Sequence, residues 1–199
     1  AALGEGVTDV PLGQRVTFDS TVYCGECDFC KSGRVNLCSN RRVLGVSCQD
    51  YRMHGAFADY VVMPARLICA LPEGVSFLEA SMVEPLSVAY HAVMRTNVEG
   101  KACVVVGAGT IGMLVVQVLR ALGASRVIAV DIEADKRAFA LQHGADEAVD
   151  SGKSEALQQL IDMTGGGADC CFDAVGINPT VNLAIEATVK GGATVRAAA

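Results

Sequence analysis

Four cysteines lie close together near the start of the chain, at Cys24, Cys27, Cys30 and Cys38, with two, two and seven residues between them. The short gaps let neighbouring sulfurs converge on one ion, and the longer gap returns the chain to complete a tetrahedron. Four thiolates close the coordination sphere, so this spacing predicts a structural zinc site without an open position for substrate. An iron–sulfur cluster also takes four cysteines, but its usual spacings differ from this one. Unligated thiols would leave this group, in a polar loop with two glycines, without a purpose.

A glycine-rich turn forms the second pattern, Gly107-Ala108-Gly109-Thr110-Ile111-Gly112, which fits G-x-G-x-x-G. It follows an apolar run directly and opens an amphipathic segment, and this strand-then-helix context is what the motif requires. We expect Gly107 to permit a tight turn, Gly109 to let the backbone approach a diphosphate, and Gly112 to let the helix pack closely on the strand. The amino end of the helix would present free N–H groups to the phosphates.

Asp131 lies 19 residues after Gly112, at the end of the next predicted strand. A dinucleotide-binding unit places its ribose-binding acid at an offset of about 20 residues. The carboxylate can accept from both ribose hydroxyls and would repel a 2′-phosphate, so the pattern predicts NAD rather than NADP. Lys136 could reach the adenosine side, which leaves the choice of cofactor open. In the alternative interpretation, the glycines serve only packing and Asp131 only caps the next helix.

Composition excludes several classes of protein. The chain of 199 residues is 51% apolar, and its net charge is −6 with 16 scattered Lys and Arg, so a nucleic-acid partner is not expected. The sequence shows neither a run of 18 apolar residues nor a signal-peptide pattern, and we expect no membrane association and a cytoplasmic location. Nine cysteines suit metal binding in a reducing compartment. The five outside the cluster are expected to be small buried apolar residues, and they are Cys48, Cys69, Cys103, Cys170 and Cys171.

The first 75 residues carry turn signals and short alternating segments, which predict a small β-rich unit with strands over 14–18, 57–63 and 66–71. Ser76 and Glu79 form a capping-box pattern that opens a helix over 77–83. A further helix is predicted over 85–96, with Pro85 in its first turn.

From Ala102 onward apolar strands alternate regularly with helices. Strands are predicted over 102–106, 126–130, 147–150, 169–174 and 193–196, and helices over 111–122, 135–143, 154–163 and 179–189. Continuous apolar strands joined by helices predict an α/β fold with a doubly wound parallel sheet covered on both faces. Such a sheet normally has six strands, and this sequence contains five, so we expect the chain to be a fragment of a longer protein.

These motifs, together with Glu84-Pro85-Leu86-Ser87-Val88-Ala89-Tyr90-His91-Ala92, resemble the medium-chain dehydrogenase family. The nearest similarity is to sorbitol, galactitol and other polyol dehydrogenases and their zinc alcohol dehydrogenase relatives. The segment Leu12-Gly13-Gln14-Arg15-Val16 resembles that family's GDRV strand region, with Gln14 where Asp is usual. The resemblance covers nearly the whole chain. It implies a partial GroES-like catalytic domain over 1–84, with the zinc lobe at 24–38, and a carboxyl-terminally incomplete Rossmann domain over 85–199.

The resemblance also implies roles for particular residues. Glu84 matches the position that approaches the catalytic zinc, which is Cys in alcohol dehydrogenases and Glu in many polyol enzymes. From the residues alone, the favoured interpretation is that a Glu before Pro85 simply lies at a helix amino terminus, and the resemblance reverses that preference. The implied cofactor-binding residues are Val88, Gly107, Gly109, Thr110, Ile111, Gly112, Asp131, Val175 and Gly176, and Lys136 joins them because of its position after Asp131.

The family's other catalytic zinc ligands are a Cys in a Gly-Cys-Gly-like turn and a His in a Gly-His-Glu segment, and neither segment is in this sequence. None of His54, His91 and His143 matches them by motif. The expected activity of the family is reversible hydride transfer between a secondary alcohol, in this branch a polyol or sugar alcohol, and NAD, with zinc as Lewis acid. The family usually forms dimers or tetramers.

Three alternatives remain. One is a truncated, catalytically inactive protein that keeps NAD binding. Another is a zinc-free NADP reductase of the same fold, which the four cysteines and Asp131 both argue against. The third is a zinc-ribbon interaction module, in which the βα half would have no role.

Overall fold

The computed structural model describes residues 1–46 and 48–197, and its internal contacts divide the chain after Ser81. The first unit contains two small sheets. Strand β1 (Val16–Phe18) pairs antiparallel with β5 (Ile68–Ala70). In the other sheet, β3 (Arg42–Leu44) pairs antiparallel with β2 (Thr21–Val22) and parallel with β4 (Arg52–Met53).

Two four-residue helices complete this unit, α1 (Asp28–Lys31) and α2 (Phe77–Ala80). The predicted capping box opens α2, since the Glu79 N–H donates to Ser76 Oγ at 3.1 Å and the Ser76 N–H donates to Glu79 Oε2 at 2.7 Å. The helix ends earlier than predicted, and a separate helix follows. Among the described residues of this unit, few apolar side chains are buried, namely Cys38, Leu67, Leu71 and Ala80.

The prediction of a strand over 57–63 is wrong. The apolar alternation is present in the sequence, but no described strand pairs with this segment, and strands are stabilised through their partners. Phe57 and Val62 are almost fully exposed as a result. The strand expected over 66–71 begins instead with a 3₁₀ turn at Ala65–Leu67, and β5 follows it.

The second unit begins at Met82 and alternates helices with strands. Its helices are α3 (Val83–Val93), α4 (Thr110–Ala121), α5 (Ala134–Gln142), α6 (Ala156–Thr164) and α7 (Asn178–Glu186). Its strands are β6 (Ala102–Val106), β7 (Arg126–Val130), β8 (Glu147–Val149), β9 (Ala168–Asp173) and β10 (Thr188–Arg196).

The five strands form one parallel sheet in the order β10-β9-β6-β7-β8. Successive side chains of a strand point to opposite faces, and both faces are buried here. Val105 and Phe172 pack with α3 and α4 on one face, whereas Val104 and Ile128 pack with α6 and α7 on the other. The predicted α/β fold with a doubly wound parallel sheet is therefore confirmed.

The strand order reverses at β6, because the chain runs to β7 and β8 on one side and then crosses to β9 and β10 on the other. At such a switch point the loops after two neighbouring strands leave in opposite directions and open a crevice at the carboxyl edge of the sheet. The predicted helix over 179–189 ends at Glu186 in the structure, and β10 begins at Thr188 with a register shift before Ala193. Gly191, at φ +84°, lies inside that shift.

Candidate cofactor cleft and metal centre

The four cysteines of the first unit converge as the spacing predicted. Their sulfurs all lie within 4.8 Å of one another, with 3.5 Å between Cys27 and Cys30, 3.5 Å between Cys24 and Cys38, and 4.0 Å between Cys24 and Cys30. A zinc–sulfur bond of about 2.3 Å requires sulfurs about 3.8 Å apart in a tetrahedron. The cluster therefore has the ligand type, number and spacing for one tetrahedral zinc ion.

The local surroundings of these thiols act on their pKa values in different directions. The N–H groups of Glu26 and Cys27 each donate to Cys24 Sγ at 3.4 Å, and these bonds lower the pKa of the Cys24 thiol to about 6. Burial instead raises the pKa of Cys30 to about 12. Thiolates this close repel one another, and a divalent cation at the centre removes that repulsion.

The glycine-rich turn lies in the second unit, between β6 and α4, and two of its glycines are sterically required. Gly107 has φ +94°, and a Cβ there would lie 2.5 Å from Val175 Cγ2. A Cβ on Gly112 would lie 1.7 Å from the Gly107 carbonyl oxygen. Gly109 differs, because a Cβ there would meet nothing within 4 Å. Its backbone therefore faces open space, at the amino end of the twelve-residue helix α4.

Asp131 lies directly across from this turn, at the end of β7. Its Oδ2 accepts from the Ala108 N–H at 2.8 Å and its Oδ1 accepts from the Glu133 N–H at 2.9 Å. The side chain is 9% exposed. Each carboxylate oxygen has a further lone pair, so Asp131 can both brace the turn and accept from a ligand hydroxyl.

A cavity of about 410 Å³ opens between the turn and the ends of β7 and β9. Of the residues predicted to bind the cofactor, it is lined by Gly107, Gly109, Asp131, Lys136 and Val175. Val88, Thr110, Ile111, Gly112 and Gly176 do not line it. It is lined also by residues that the sequence did not point to, which are Val106, Val130, Ile132, Glu133, Ser151, Ala174, Ile177 and Thr180.

Two acidic residues that were not predicted from the sequence also belong to the surroundings of the cavity. Asp173, at the end of β9, is 1% exposed and accepts from the N–H groups of Val175 and Gly176 at 3.2 and 3.0 Å, which shapes the loop beside the cavity. Glu133 accepts from Lys136 Nζ at 2.7 Å, and this bond raises the pKa of Lys136. A buried aspartate at a strand end and an i, i+3 charge pair are signals in the sequence, but neither by itself indicates a binding site.

Glu84 and Val88 lie on α3, one helical turn apart, and both are exposed. Glu84 is in the first turn of that helix, and neither residue lines the cavity of about 410 Å³. The structure therefore brings the glycine turn, Asp131 and Lys136 together, and it does not bring Glu84 to them.

His143 stacks on the ring of Phe139 with the ring centroids 3.9 Å apart.

The cysteines outside the cluster divide into two groups. Cys103, Cys170 and Cys171 are fully buried in the sheet, as expected. Cys69 is exposed in β5, so its predicted burial is wrong, because the sparse packing of the first unit leaves that strand uncovered. Cys48, which precedes the 3₁₀ turn Gln49–Tyr51, is also exposed, so its predicted burial is wrong as well.

Two family sequence models match the chain on either side of α3. The alcohol dehydrogenase GroES-like domain matches residues 1–73, and the zinc-binding dehydrogenase domain matches residues 110–199. The chain belongs to the medium-chain zinc-containing dehydrogenase family. The GroES-like match explains the short strands of the first unit, and the second match covers the glycine turn from Thr110 onward.

Individual members of this family align along almost the whole chain. Sorbitol dehydrogenase of Arabidopsis thaliana is 36% identical over 196 residues, which are 96% of this chain and 53% of that protein. D-xylulose reductase A of Aspergillus oryzae is 36% identical over 200 residues, which are 98% of this chain and 55% of that protein. A solved zinc-binding dehydrogenase from Sinorhizobium meliloti 1021, bound to NADP, has a TM-score of 0.90 at 31% identity, over 99% of this chain and 57% of that one.

The chain spans about half the length of the curated relatives that it matches. The four-cysteine cluster and the dinucleotide-type cleft both lie within that half. None of the helices that the structure describes combines the length and apolar character needed to cross a bilayer.

Proposed function

We propose that this chain forms the NAD-binding and structural-zinc part of a zinc-dependent dehydrogenase that oxidises a secondary alcohol, of the polyol or sugar-alcohol class. The observation that carries the proposal is the single cavity in which the backbone of Gly109 and the carboxylate of Asp131 face the same space. The names of the sorbitol dehydrogenase and D-xylulose reductase relatives support the polyol class.

In this proposal the diphosphate lies against the open backbone of Gly109 at the amino end of α4, where N–H groups of Thr110 and Ile111 are free of helix partners. The acidic end of the cleft takes the adenosine ribose, with Asp131 accepting from its hydroxyls. Val175 and Gly176 border the nicotinamide-side ribose. Val88 is assigned to the nicotinamide by family resemblance. Gly107 and Gly112 are assigned to the tight turn and to close packing because of the small space around them, and Lys136 is assigned to the adenosine side because of its position after Asp131.

The division of labour between residues follows from their chemistry. We assign Cys24, Cys27, Cys30 and Cys38 to one structural zinc, because four thiolates leave no position for substrate. Glu84 is assigned to a catalytic zinc, which supplies Lewis acidity to the alcohol oxygen when bound, while NAD accepts the hydride. The polypeptide's own part is to bind the diphosphate, orient both riboses and hold the cofactor's charge in place.

We assign residues 1–84 to a partial GroES-like domain and 85–199 to a Rossmann domain, in a cytoplasmic homo-oligomer with no nucleic-acid or membrane partner. The two family matches support the two domains, and the cysteine content supports a reducing compartment. Light scattering of the purified protein measures the oligomeric state. A monomer at micromolar concentration would contradict that part of the assignment.

The test of the function combines calorimetric titration of NAD with metal analysis. We expect saturable binding of NAD with one site per chain and one zinc per chain. A protein that binds no dinucleotide would refute the proposal. A second candidate function, NAD binding without turnover, is favoured by the position of Glu84, which does not line the cavity of about 410 Å³. An assay of NADH formation with a panel of polyols separates the two, since turnover above background excludes the second candidate.

A further inference from the structure

The ribose end of the cavity carries an ion pair that neutralises its nearest cation. Lys136 and Glu133 both line the cavity, and Lys136 Nζ donates to Glu133 Oε1 at 2.7 Å. The two residues lie three positions apart around the start of α5, a spacing at which side chains meet on a helix surface. The Glu133 N–H in turn donates to Asp131 Oδ1, which ties this pair to the ribose-binding acid.

The second cation near the ribose end of the cavity, Arg137, is also bound to oxygen atoms of the protein. Arg137 is mostly buried, donates to the Asp131 carbonyl oxygen at 2.8 Å and forms an ion pair with Asp150 at 3.2 Å. The carboxylates of Glu133 and Asp150 therefore each hold one cation beside the ribose end of the cavity, Lys136 and Arg137 respectively.

We propose that Glu133 is a specificity-determining residue, which holds Lys136 and thereby keeps the cleft selective for a ribose without a 2′-phosphate. This inference rests on the proposed dinucleotide binding. A lysine ammonium has three donors and is a good partner for phosphate. Released from Glu133, Lys136 would compensate the charge of a 2′-phosphate, which is about −1.5 to −2 at neutral pH. Asp131 alone therefore does not set the preference, since the ion pair withdraws the cation that would oppose it.

The expected size of the effect follows from the exposure of the pair. Both side chains are partly exposed to solvent, at 42% for Lys136 and 59% for Glu133, so solvent screens the interaction and an exposed pair contributes modestly. We expect Glu133→Gln to tighten NADP binding about 3- to 10-fold and to change NAD binding less than about 2-fold. The gain should shrink in high salt because exposed charges are screened.

The experiment is a double-mutant cycle on the full chain, with dissociation constants for NAD and NADP measured by calorimetry. The variants are Glu133→Gln, Lys136→Gln and the double variant. The matched control is Asp135→Asn, which removes the same charge from an exposed residue in the first turn of α5 that does not line the cavity. Thermal unfolding of each variant checks that the fold is kept.

We expect Glu133→Gln to raise NADP affinity relative to NAD, and to lose that gain when Lys136 is also replaced. Asp135→Asn should leave the ratio of the two affinities unchanged. An unchanged ratio in Glu133→Gln, with NAD binding intact, overturns this inference alone. An equal gain in the presence and absence of Lys136 also overturns it, because the effect would then be one of net charge. Absence of any dinucleotide binding in the unsubstituted protein would refute the proposed function and this inference together.

Discussion

Replacing Gly109 and Gly112 separately by alanine distinguishes ligand approach from packing in the glycine turn. At Gly109 the backbone has φ −75° and ψ −170°, which alanine adopts readily, and the added Cβ meets nothing within 4 Å. We therefore expect Gly109→Ala to change the free energy of unfolding by less than about 0.5 kcal/mol. The methyl group occupies the space assigned to the diphosphate, and losing one charge-assisted hydrogen bond of about 1.5–3 kcal/mol weakens NAD binding about 10- to 100-fold.

Gly112→Ala is expected to act in the opposite order. Its Cβ would lie 1.7 Å from the Gly107 carbonyl oxygen, so the helix or the turn must shift. Overpacking of this kind costs about 3 kcal/mol, and the better helix propensity of alanine returns about 1 kcal/mol. The net loss of about 2 kcal/mol lowers the melting temperature by about 4–8 °C in a chain of this size.

The assay for both variants is calorimetric titration of NAD together with thermal unfolding followed by circular dichroism. The reasoning predicts weak binding and normal stability for Gly109→Ala, and reduced stability for Gly112→Ala. NAD affinity unchanged in Gly109→Ala would refute the placement of the diphosphate at this turn. A fully stable Gly112→Ala protein would refute the close helix–strand contact.

Three further outcomes follow from the same contacts. Chelation of the metal, or replacement of the buried Cys38 by serine, should remove one zinc per chain and lower the melting temperature. The affinity of the remaining folded protein for NAD should not change. Metal analysis measures the loss of zinc, and calorimetry measures the NAD affinity. Asp131→Asn keeps an oxygen acceptor but loses the charge, so NAD affinity should fall by about tenfold, and an unchanged dissociation constant would contradict its role. Burial raises the pKa of Asp146, but the N–H of Val127 and the guanidinium of Arg120 outweigh it and lower that pKa below its usual value. Its stabilising contribution is therefore complete above the ordinary aspartate pKa and is lost as the pH falls through the lower, folded-state value. Urea unfolding from about pH 6 to about pH 3 should show a steeper loss of stability for the unsubstituted protein than for Asp146→Asn.

The sheet of the second unit could be predicted from the sequence, because its strands are apolar on both faces. Ala102–Val106 and Arg126–Val130 have the predicted bounds. A continuous apolar run between polar turns shows in the sequence where such a strand begins and ends. The end of α7 could not be predicted as well. Strand β10 starts at Thr188 because it pairs with Ala168, and that pairing is decided by tertiary contact rather than by local propensity.

The first unit shows more clearly what a local sequence pattern cannot predict. The alternation over residues 57–63 is a strand signal, yet it needs a partner strand and has none among the described residues. The convergence of the four cysteines could be predicted from their spacing because the geometry of metal ligands is encoded in short loops. By contrast, the pairing of Glu133 with Lys136 beside the cavity, and the two backbone bonds of Asp173, depend on where separate elements end in space.

A structure of the chain with NAD bound tests the central claim most directly. The account predicts the diphosphate against the Gly109 backbone and the adenosine ribose hydroxyls within hydrogen-bond distance of Asp131. A cofactor bound elsewhere on the chain, with this cleft empty, would contradict it.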